Sequence, residues 1–180
     1  VIFDEAHQLP GTASLFFGES LSTAQLLELA RDTRLEAAAA AKDFAALPEA
    51  AQALERAARE LRLAAGEDSA RQTAQQAQSR SDFGQRLDAV GEKLAALGAL
   101  LELQAERSDG LENCSQRCAD LASRLSRWRE TPSRSPQGAD ARAPSKNQVR
   151  WVEVFQHAVQ LNSTPLSVAD VFQRQIEGGA

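Results

Sequence analysis

Apolar residues recur at alternating spacings of three and four along most of the middle of the chain, and this periodicity constrains the fold more than any other feature. Such spacing gives each helix one apolar stripe, which must be buried against another element. Three predicted helices show it: Leu47, Ala51, Leu54, Ala58, Leu61 and Ala65; Leu87, Val90, Leu94, Leu97 and Leu101; and Leu111, Cys114, Cys118, Leu121, Leu125 and Trp128. An alanine-rich helix precedes them. Four such helices with short connections predict an antiparallel bundle.

Short polar signals mark the ends of these helices. Ser22 and Gln25 have the spacing of a capping box, which predicts the start of the first helix. Gly66 predicts the end of the second helix, and Ser81-Asp82 predicts the start of the third. A turn is predicted at 108–110, before the fourth helix. Residues 66–81 are polar and predict either a loop or an exposed helical extension.

Strand-like segments flank the predicted bundle, so the expected fold class is mainly α with short strands at its borders. Val1-Ile2-Phe3 is typical of a buried parallel strand. After a Pro- and Ser-rich linker at 131–147, apolar residues between 149 and 161 predict two short strands that join near Gln156-His157. Thr164-Pro165 then predicts the start of a last helix, with Thr as the N-cap.

Composition excludes several classes of protein. The net charge of −5 and a pI near 5.1 argue against a dedicated basic nucleic-acid module. No apolar run approaches the ~20 residues of a membrane span, so no membrane partner is expected. Two cysteines do not make a disulfide framework, which favours a reducing, cytoplasmic location.

The tetrapeptide Asp4-Glu5-Ala6-His7 follows the first strand, where open α/β sheets place their ligand sites. The Walker B motif of nucleic-acid-dependent ATPases has this form. We assign Asp4 to Mg²⁺, held through water, and Glu5 to the attacking water, with ATP as the nucleotide. His7 is expected to sense the nucleotide state. The alternative is an apolar strand with a charged, solvated end.

The chain has no Walker A motif, Gly-x-x-x-x-Gly-Lys-Ser/Thr. We therefore expect it to be a piece of a larger enzyme, and to be inactive in ATP hydrolysis by itself.

Residues 1–10 resemble motif II of the XPD/DinG group of superfamily 2 helicases, and in particular its bacterial YoaA-like branch. Residues 149–153 and 161–166 are similar to that group's return into motor domain 1. DEAH-box RNA helicases share Asp-Glu-Ala-His but usually continue with Glu-Arg and a nearby Ser-Ala-Thr motif. Here Gln8-Leu9 follows and no Ser-Ala-Thr occurs downstream, which disfavours that group.

The resemblance implies the domain organisation. Residues 1–21 and 148–180 would belong to an α/β RecA-like motor domain. Residues 22–147 would form a helical Arch domain that includes the linker at 131–147.

The resemblance also implies the activity: ATP-dependent 5′→3′ movement on single-stranded or forked DNA, in DNA repair or replication, in the cytoplasm at the nucleoid. A [4Fe-4S] cluster is implied as well, with ligands upstream of Val1. An alternative function is a helical module that docks a replication or repair protein, and a plain helical scaffold is a third.

Two sets of basic residues are candidate DNA contacts. Arg56, Arg59 and Arg62 are three apart on the second helix, although Glu55 and Glu60 interleave with them and favour a solvated face. Arg142, Lys146 and Arg150 give the linker region a local positive charge, which serves either DNA contact or solubility.

Three further residue types have competing interpretations. Trp151 could stack on a base, but its place in a strand favours core packing. Cys114 and Cys118 occupy core positions of the fourth helix, which favours packing over a metal or cluster site. His157 is predicted to be a turn residue.

Overall fold

The computed structural model describes residues 18–66, 71–129 and 148–165. Its elements are β1 (Glu19–Ser22), α1 (Thr23–Ala40), α2 (Ala46–Ala64), β2 (Arg71–Thr73), α3 (Ala74–Gln78), α4 (Ser81–Gln104), a 3₁₀ turn (Ala105–Arg107), α5 (Asp109–Arg129), β3 (Gln148–Val154) and β4 (Val159–Pro165). The predicted fold class, mainly α with short strands, is confirmed.

The four long helices α1, α2, α4 and α5 form a bundle in which each helix packs against two others. Every apolar position that the periodicity predicted in α2, α4 and α5 is buried. At one end, Arg107 beside the α4–α5 connection pairs with Asp43 in the α1–α2 connection. The chain therefore runs up and down through the bundle.

The helix ends confirm most of the predicted signals. The Ser22 hydroxyl accepts a hydrogen bond from the Ala24 N–H (3.2 Å), and the Gln25 side chain accepts one from the Ser22 N–H (3.0 Å), which completes the capping box. Gly66 follows α2 with a φ of 96°. The turn predicted at 108–110 is wrong in extent, because the Ser108 hydroxyl accepts from the Leu111 N–H (3.1 Å) and α5 begins at Asp109.

A four-stranded antiparallel sheet with the order β1-β4-β3-β2 accompanies the bundle. The hairpin of β3 and β4 confirms the two strands predicted to join near Gln156-His157; the Phe155 N–H donates to the Ala158 carbonyl (2.8 Å) across the connection. The helix predicted from Thr164-Pro165 does not begin at Pro165, and its remaining residues lie outside the described part of the chain. Both residues lie in β4, where Thr164 pairs with Val149, so the backbone there is extended.

The loop or helical extension predicted for residues 66–81 is also wrong in part. Arg71–Thr73 forms the edge strand β2, and the short helix α3 follows with its own capping box at Thr73 and Gln76. Strand β1 was likewise not predicted. It crosses the domain boundary that the sequence placed between residues 21 and 22.

The sheet covers the end of the bundle at which α1 begins and α5 ends. Val152, Val154, Val159 and Leu161 are buried on its inner face. The Val159 N–H donates to the Thr23 hydroxyl (3.0 Å), and the Trp128 indole N–H donates to the Asn162 carbonyl (3.0 Å). Sheet and bundle therefore share one hydrophobic core. Among the described helices, none is both long and apolar enough to cross a membrane.

Candidate functional site

The predicted catalytic residues Asp4, Glu5 and His7 lie outside the described residues, as do Arg142 and Lys146 of the linker. Their roles stay predictions. The described part of the chain contains the remaining candidate DNA contacts, namely Arg150 and the three arginines of α2.

The three arginines of α2 have different surroundings. Arg56 is exposed and makes no ion pair with any residue in the described ranges. Arg59 lies 2.5 Å from Glu55, whose other oxygen lies 2.8 Å from Arg34 of α1. The guanidinium of Arg62 donates to the carbonyls of Gly66 (2.7 Å) and Gln156 (3.0 Å). Arg62 thus ties the end of α2 to the β3–β4 connection, which is a structural use of the side chain.

Arg150 also makes structural contacts. Its guanidinium donates to the Trp128 carbonyl (2.5 Å) and lies 5.7 Å from the centre of the Trp128 ring. A cation at this position suits the C-terminal end of α5, where unpaired carbonyls carry partial negative charge. The side chain is half-buried.

Arginine–carboxylate pairs cross every interface between neighbouring long helices. Arg34 pairs with Glu55 (α1–α2, 2.8 Å), Arg86 with Glu60 (α4–α2, 2.5 Å), Arg129 with Asp88 (α5–α4), and Arg117 with Asp32 (α5–α1, 2.6 Å). Exposed pairs of this kind contribute about 0–1 kcal/mol each. Much of the positive charge on the bundle is therefore already neutralised by neighbouring helices.

The outer face of the sheet presents a second group of side chains. We call the group of Arg71, Val149, Trp151, Glu153 and Phe155 the outer-face cluster. The Arg71 guanidinium lies 4.4 Å from the centre of the Trp151 ring and 3.5 Å from the Glu153 carboxylate. The Trp151 indole N–H donates to the same carboxylate (3.2 Å).

The sequence carried part of the signal for this cluster. Residues 149, 151, 153 and 155 alternate with the buried Val152 and Val154, which is the period of a strand. Arg71 could not be added, because β2 was not predicted. The core packing predicted for Trp151 is wrong: its side chain is half-buried on the face opposite to Val152 and Val154 and does not belong to the hydrophobic core.

Cys114 and Cys118 are free thiols buried in the core of the bundle, which confirms the predicted packing role. The Cys118 thiol donates to the Leu94 carbonyl (3.4 Å). Burial raises the pKa of Cys114 and raises the pKa of Cys118 to about 11, so both are poor metal or cluster ligands. Among the described side chains, no group of three His, Cys, Asp or Glu residues could hold a metal ion. His157 is exposed in the β3–β4 connection, as predicted.

Two bacterial helicases share short stretches with this chain. The chain is 69% identical over 32 residues to the ATP-dependent DNA helicase YoaA of Escherichia coli (strain K12), and 54% identical over 35 residues to that of Haemophilus influenzae. The matches cover 18% and 19% of this chain but only 5% and 6% of the relatives. No family model and no solved structure matches the chain. The predicted resemblance to YoaA-like helicases is therefore confirmed over a short part of the sequence.

Proposed function

We propose that this chain is part of an ATP-dependent DNA helicase of the YoaA-like branch. Two proteins that carry this name share 54–69% of the residues in the matched stretches. The proposal extends to 5′→3′ movement on single-stranded or forked DNA, in repair or replication, in the cytoplasm at the nucleoid. These finer statements rest on the resemblance of residues 1–10 to motif II of the XPD/DinG group of helicases.

Residues Asp4 and Glu5 would serve ATP hydrolysis in the intact enzyme. Asp4 would hold Mg²⁺, which supplies positive charge to the β- and γ-phosphates when it is bound. Glu5 would orient the attacking water and accept its proton. His7 would couple the nucleotide state to the DNA path. The Walker A motif and the ligands of a [4Fe-4S] cluster would come from other parts of the enzyme.

The described region is proposed to be an Arch-like insertion in the motor domain. One observation carries this proposal: β1 and β4 are adjacent antiparallel strands, so Glu19, near the start of the described region, pairs with Ser163, near its end. An inserted domain requires that its two ends be close together. We therefore extend the proposed insertion to residues 18–165, which adds β1, β3 and β4 to the helical Arch of the sequence-based prediction.

An insertion of this form could enclose single-stranded DNA against the motor domain. The bundle has a continuous buried core, and its neighbouring helices are joined by ion pairs, so it can move as one body on two adjacent strands. The linker residues Arg142 and Lys146 are proposed phosphate contacts. Arg150 is better explained by its contacts with Trp128.

The catalytic proposal predicts a specific loss of function. In the intact enzyme, Glu5→Gln removes the proton acceptor but keeps the size of the side chain, so DNA-stimulated ATP hydrolysis should fall by at least about a hundredfold. Nucleotide binding, measured with a fluorescent ATP analogue, should be retained. Glu92→Gln on the exposed surface of α4 is the matched control and should leave both values unchanged. DNA-stimulated turnover in Glu5→Gln near the normal rate would refute the role of Glu5.

A protein-docking module is the second candidate for the bundle. Leu63 and Leu103 are 77% and 72% exposed, and the arginines at the helix interfaces are neutralised by carboxylates. Exposed leucines together with neutralised arginines favour an apolar partner over phosphate. DNA binding through Arg142 and Lys146 would weaken steeply as salt rises, whereas docking through leucines would not.

A further inference from the structure

Large apolar side chains are exposed on the outer face of β3 and at Phe155, the residue that directly follows it. Val149 and Phe155 are 45% and 46% exposed, while Val152 and Val154 on the opposite face are 1% and 3% exposed. Trp151 lies between Val149 and Phe155 on the outer face. Neighbouring exposed apolar side chains of this size indicate a surface that contacts another molecule.

The Trp151 ring already binds a planar cation. The Arg71 guanidinium lies 4.4 Å from its centre, and 64% of the Arg71 side chain is accessible to solvent. Flat, delocalised groups such as guanidinium ions and nucleobases stack on tryptophan in the same way. Because Arg71 is on the edge strand β2 and is largely exposed, it can leave the ring without disturbing the core.

The spacing of the two aromatic residues suits an extended polynucleotide. Trp151 lies in β3 and Phe155 directly follows that strand, four residues along, which corresponds to about 13 Å of extended backbone. Stacked neighbouring bases in a duplex are only about 3.4 Å apart along each strand. Two aromatic rings at this spacing can therefore hold separate bases of an extended single-stranded polynucleotide. Sheets with exposed aromatic side chains bind single-stranded nucleic acids in this way.

Polar groups around Trp151 match the edges of bases. The Glu153 carboxylate accepts hydrogen bonds and can receive one from an exocyclic amine. The Gln160 side chain on β4 both donates and accepts, and is half-buried beside Asn162. A purely apolar protein partner would have to desolvate the ion pair between Arg71 and Glu153 without replacing its interactions. These groups favour a base over an apolar peptide.

We propose that the outer-face cluster binds single-stranded DNA, with Trp151 and Phe155 stacking on two bases and Arg71 moving from the Trp151 ring to a phosphate. The proposal rests on the helicase function above, which supplies the nucleic acid. It names a contact surface within the insertion that is separate from the basic linker. Since Arg71 is the cluster's single cation and Glu153 balances it, the salt dependence of this contact should be shallow.

The test measures binding of a fluorescein-labelled deoxycytidine oligonucleotide, whose bases carry an exocyclic amine, to the 180-residue chain by anisotropy, at low and at physiological salt. Trp151→Ala and Phe155→Ala should each weaken binding by about tenfold, since each removes one stacking platform. Leu103→Ala, which also shortens an exposed apolar side chain but lies near the opposite end of the bundle, should bind as the unchanged chain does. A duplex of the same length should compete poorly, because its bases are not available for stacking.

Trp151→Phe separates stacking from a structural role. This variant keeps an aromatic ring, so it should retain most of the affinity, while Trp151→Ala should not. The oligonucleotide should quench the intrinsic fluorescence of the unchanged chain, and Trp151→Phe should abolish that quenching, because the buried Trp128 is out of reach.

Two results would overturn the proposal: no binding by the unchanged chain at low salt, or equal binding by Trp151→Ala, Phe155→Ala and Leu103→Ala. A separate assay of DNA-stimulated ATP hydrolysis in the intact enzyme distinguishes failure of this proposal from failure of the proposed helicase function. Normal stimulation in Trp151→Ala, together with either result, would reject the surface and keep the helicase.

Discussion

The helical bundle and the sheet that covers its end are assembled from the chain in different ways. Each long helix supplies its own apolar stripe, and its packing partners are helices joined to it or to its neighbours by short connections. The sheet takes strands from three separate segments, and its outermost pairing joins Glu19 to Ser163. The bundle is therefore encoded mainly by local periodicity, whereas the sheet depends on contacts between distant residues.

The two regions also differ in what they can do alone. Strands of three to seven residues form a sheet that is at best marginally stable without another layer. The bundle supplies that layer, because Trp128 in the last turn of α5 lies against β4. The sheet in return leaves one face open, with Trp151 and Phe155 accessible. The bundle thus stabilises the fold, and the sheet that packs on it presents side chains for binding.

The largest expected effect is at the joint between the two regions. Trp128 is 2% exposed and donates to the Asn162 carbonyl. Trp128→Ala should lower the free energy of unfolding by about 3–5 kcal/mol, because it leaves a cavity between α5 and the sheet. Urea denaturation followed by circular dichroism measures this. Trp151→Ala, on the outer face, should change stability by less than about 1.5 kcal/mol; an equal loss in both variants would show that the outer face is part of the core.

The rate at which a thiol reagent labels the buried cysteines tests how tightly the interior of the bundle is closed. Burial raises the pKa of Cys118 from 9.0 to about 11, so at pH 8 about a hundredfold fewer thiolates are present than in the unfolded chain. Labelling by an aromatic disulfide reagent should be slower in the native chain than in urea by at least that factor. Labelling of the native chain at the urea rate would show that the bundle opens readily.

The same thiol predicts the pH dependence of stability. The pKa of Cys118 is higher in the folded state. The stability that comes from burying the neutral thiol is therefore complete below about pH 9 and is lost as the pH rises through about 11. The urea midpoint should therefore fall between pH 8 and pH 10.5. In Cys118→Ala, the fall should be smaller, because the raised pKa of Cys114 alone remains.

Substitutions of two glycines by alanine should have the smallest effects on stability, and these effects should be opposite in sign. Gly66 lies where the chain leaves the bundle toward β2, with a φ of 96°, and a Cβ there would lie 2.8 Å from a guanidinium nitrogen of Arg80. Gly66→Ala should lose about 1–3 kcal/mol of stability. Gly84 lies within α4 with no heavy atom within 4 Å of its Cβ position, so Gly84→Ala should gain about 0.5–1 kcal/mol. Thermal denaturation of both variants tests this, and a gain in Gly66→Ala would contradict the strained backbone.

The sequence predicted the elements whose signals are local. The stripes of α2, α4 and α5, the capping box at Ser22 and the hairpin near Gln156 each depend on residues a few positions apart. It missed β1 and β2, because four and three residues carry too little pattern of their own. It placed a helix start at Thr164-Pro165 because Thr followed by Pro is typical of an N-terminus, yet pairing with β3 holds these residues extended.

The candidate functional residues also fall into two groups, those that the sequence predicted and those that only the structure showed. The nucleotide site proposed at Asp4-Glu5-Ala6-His7 came from the sequence, since the motif that predicts it consists of neighbouring residues. The structural use of Arg62 and Arg150, and the contact between Arg71 and Trp151, could come only from the tertiary structure. Sequence alone determined which long segments are helical and which of their faces are apolar, because those properties repeat with the period of one element. Which distant segments meet depends on burying those faces together, and only the folded chain decides that.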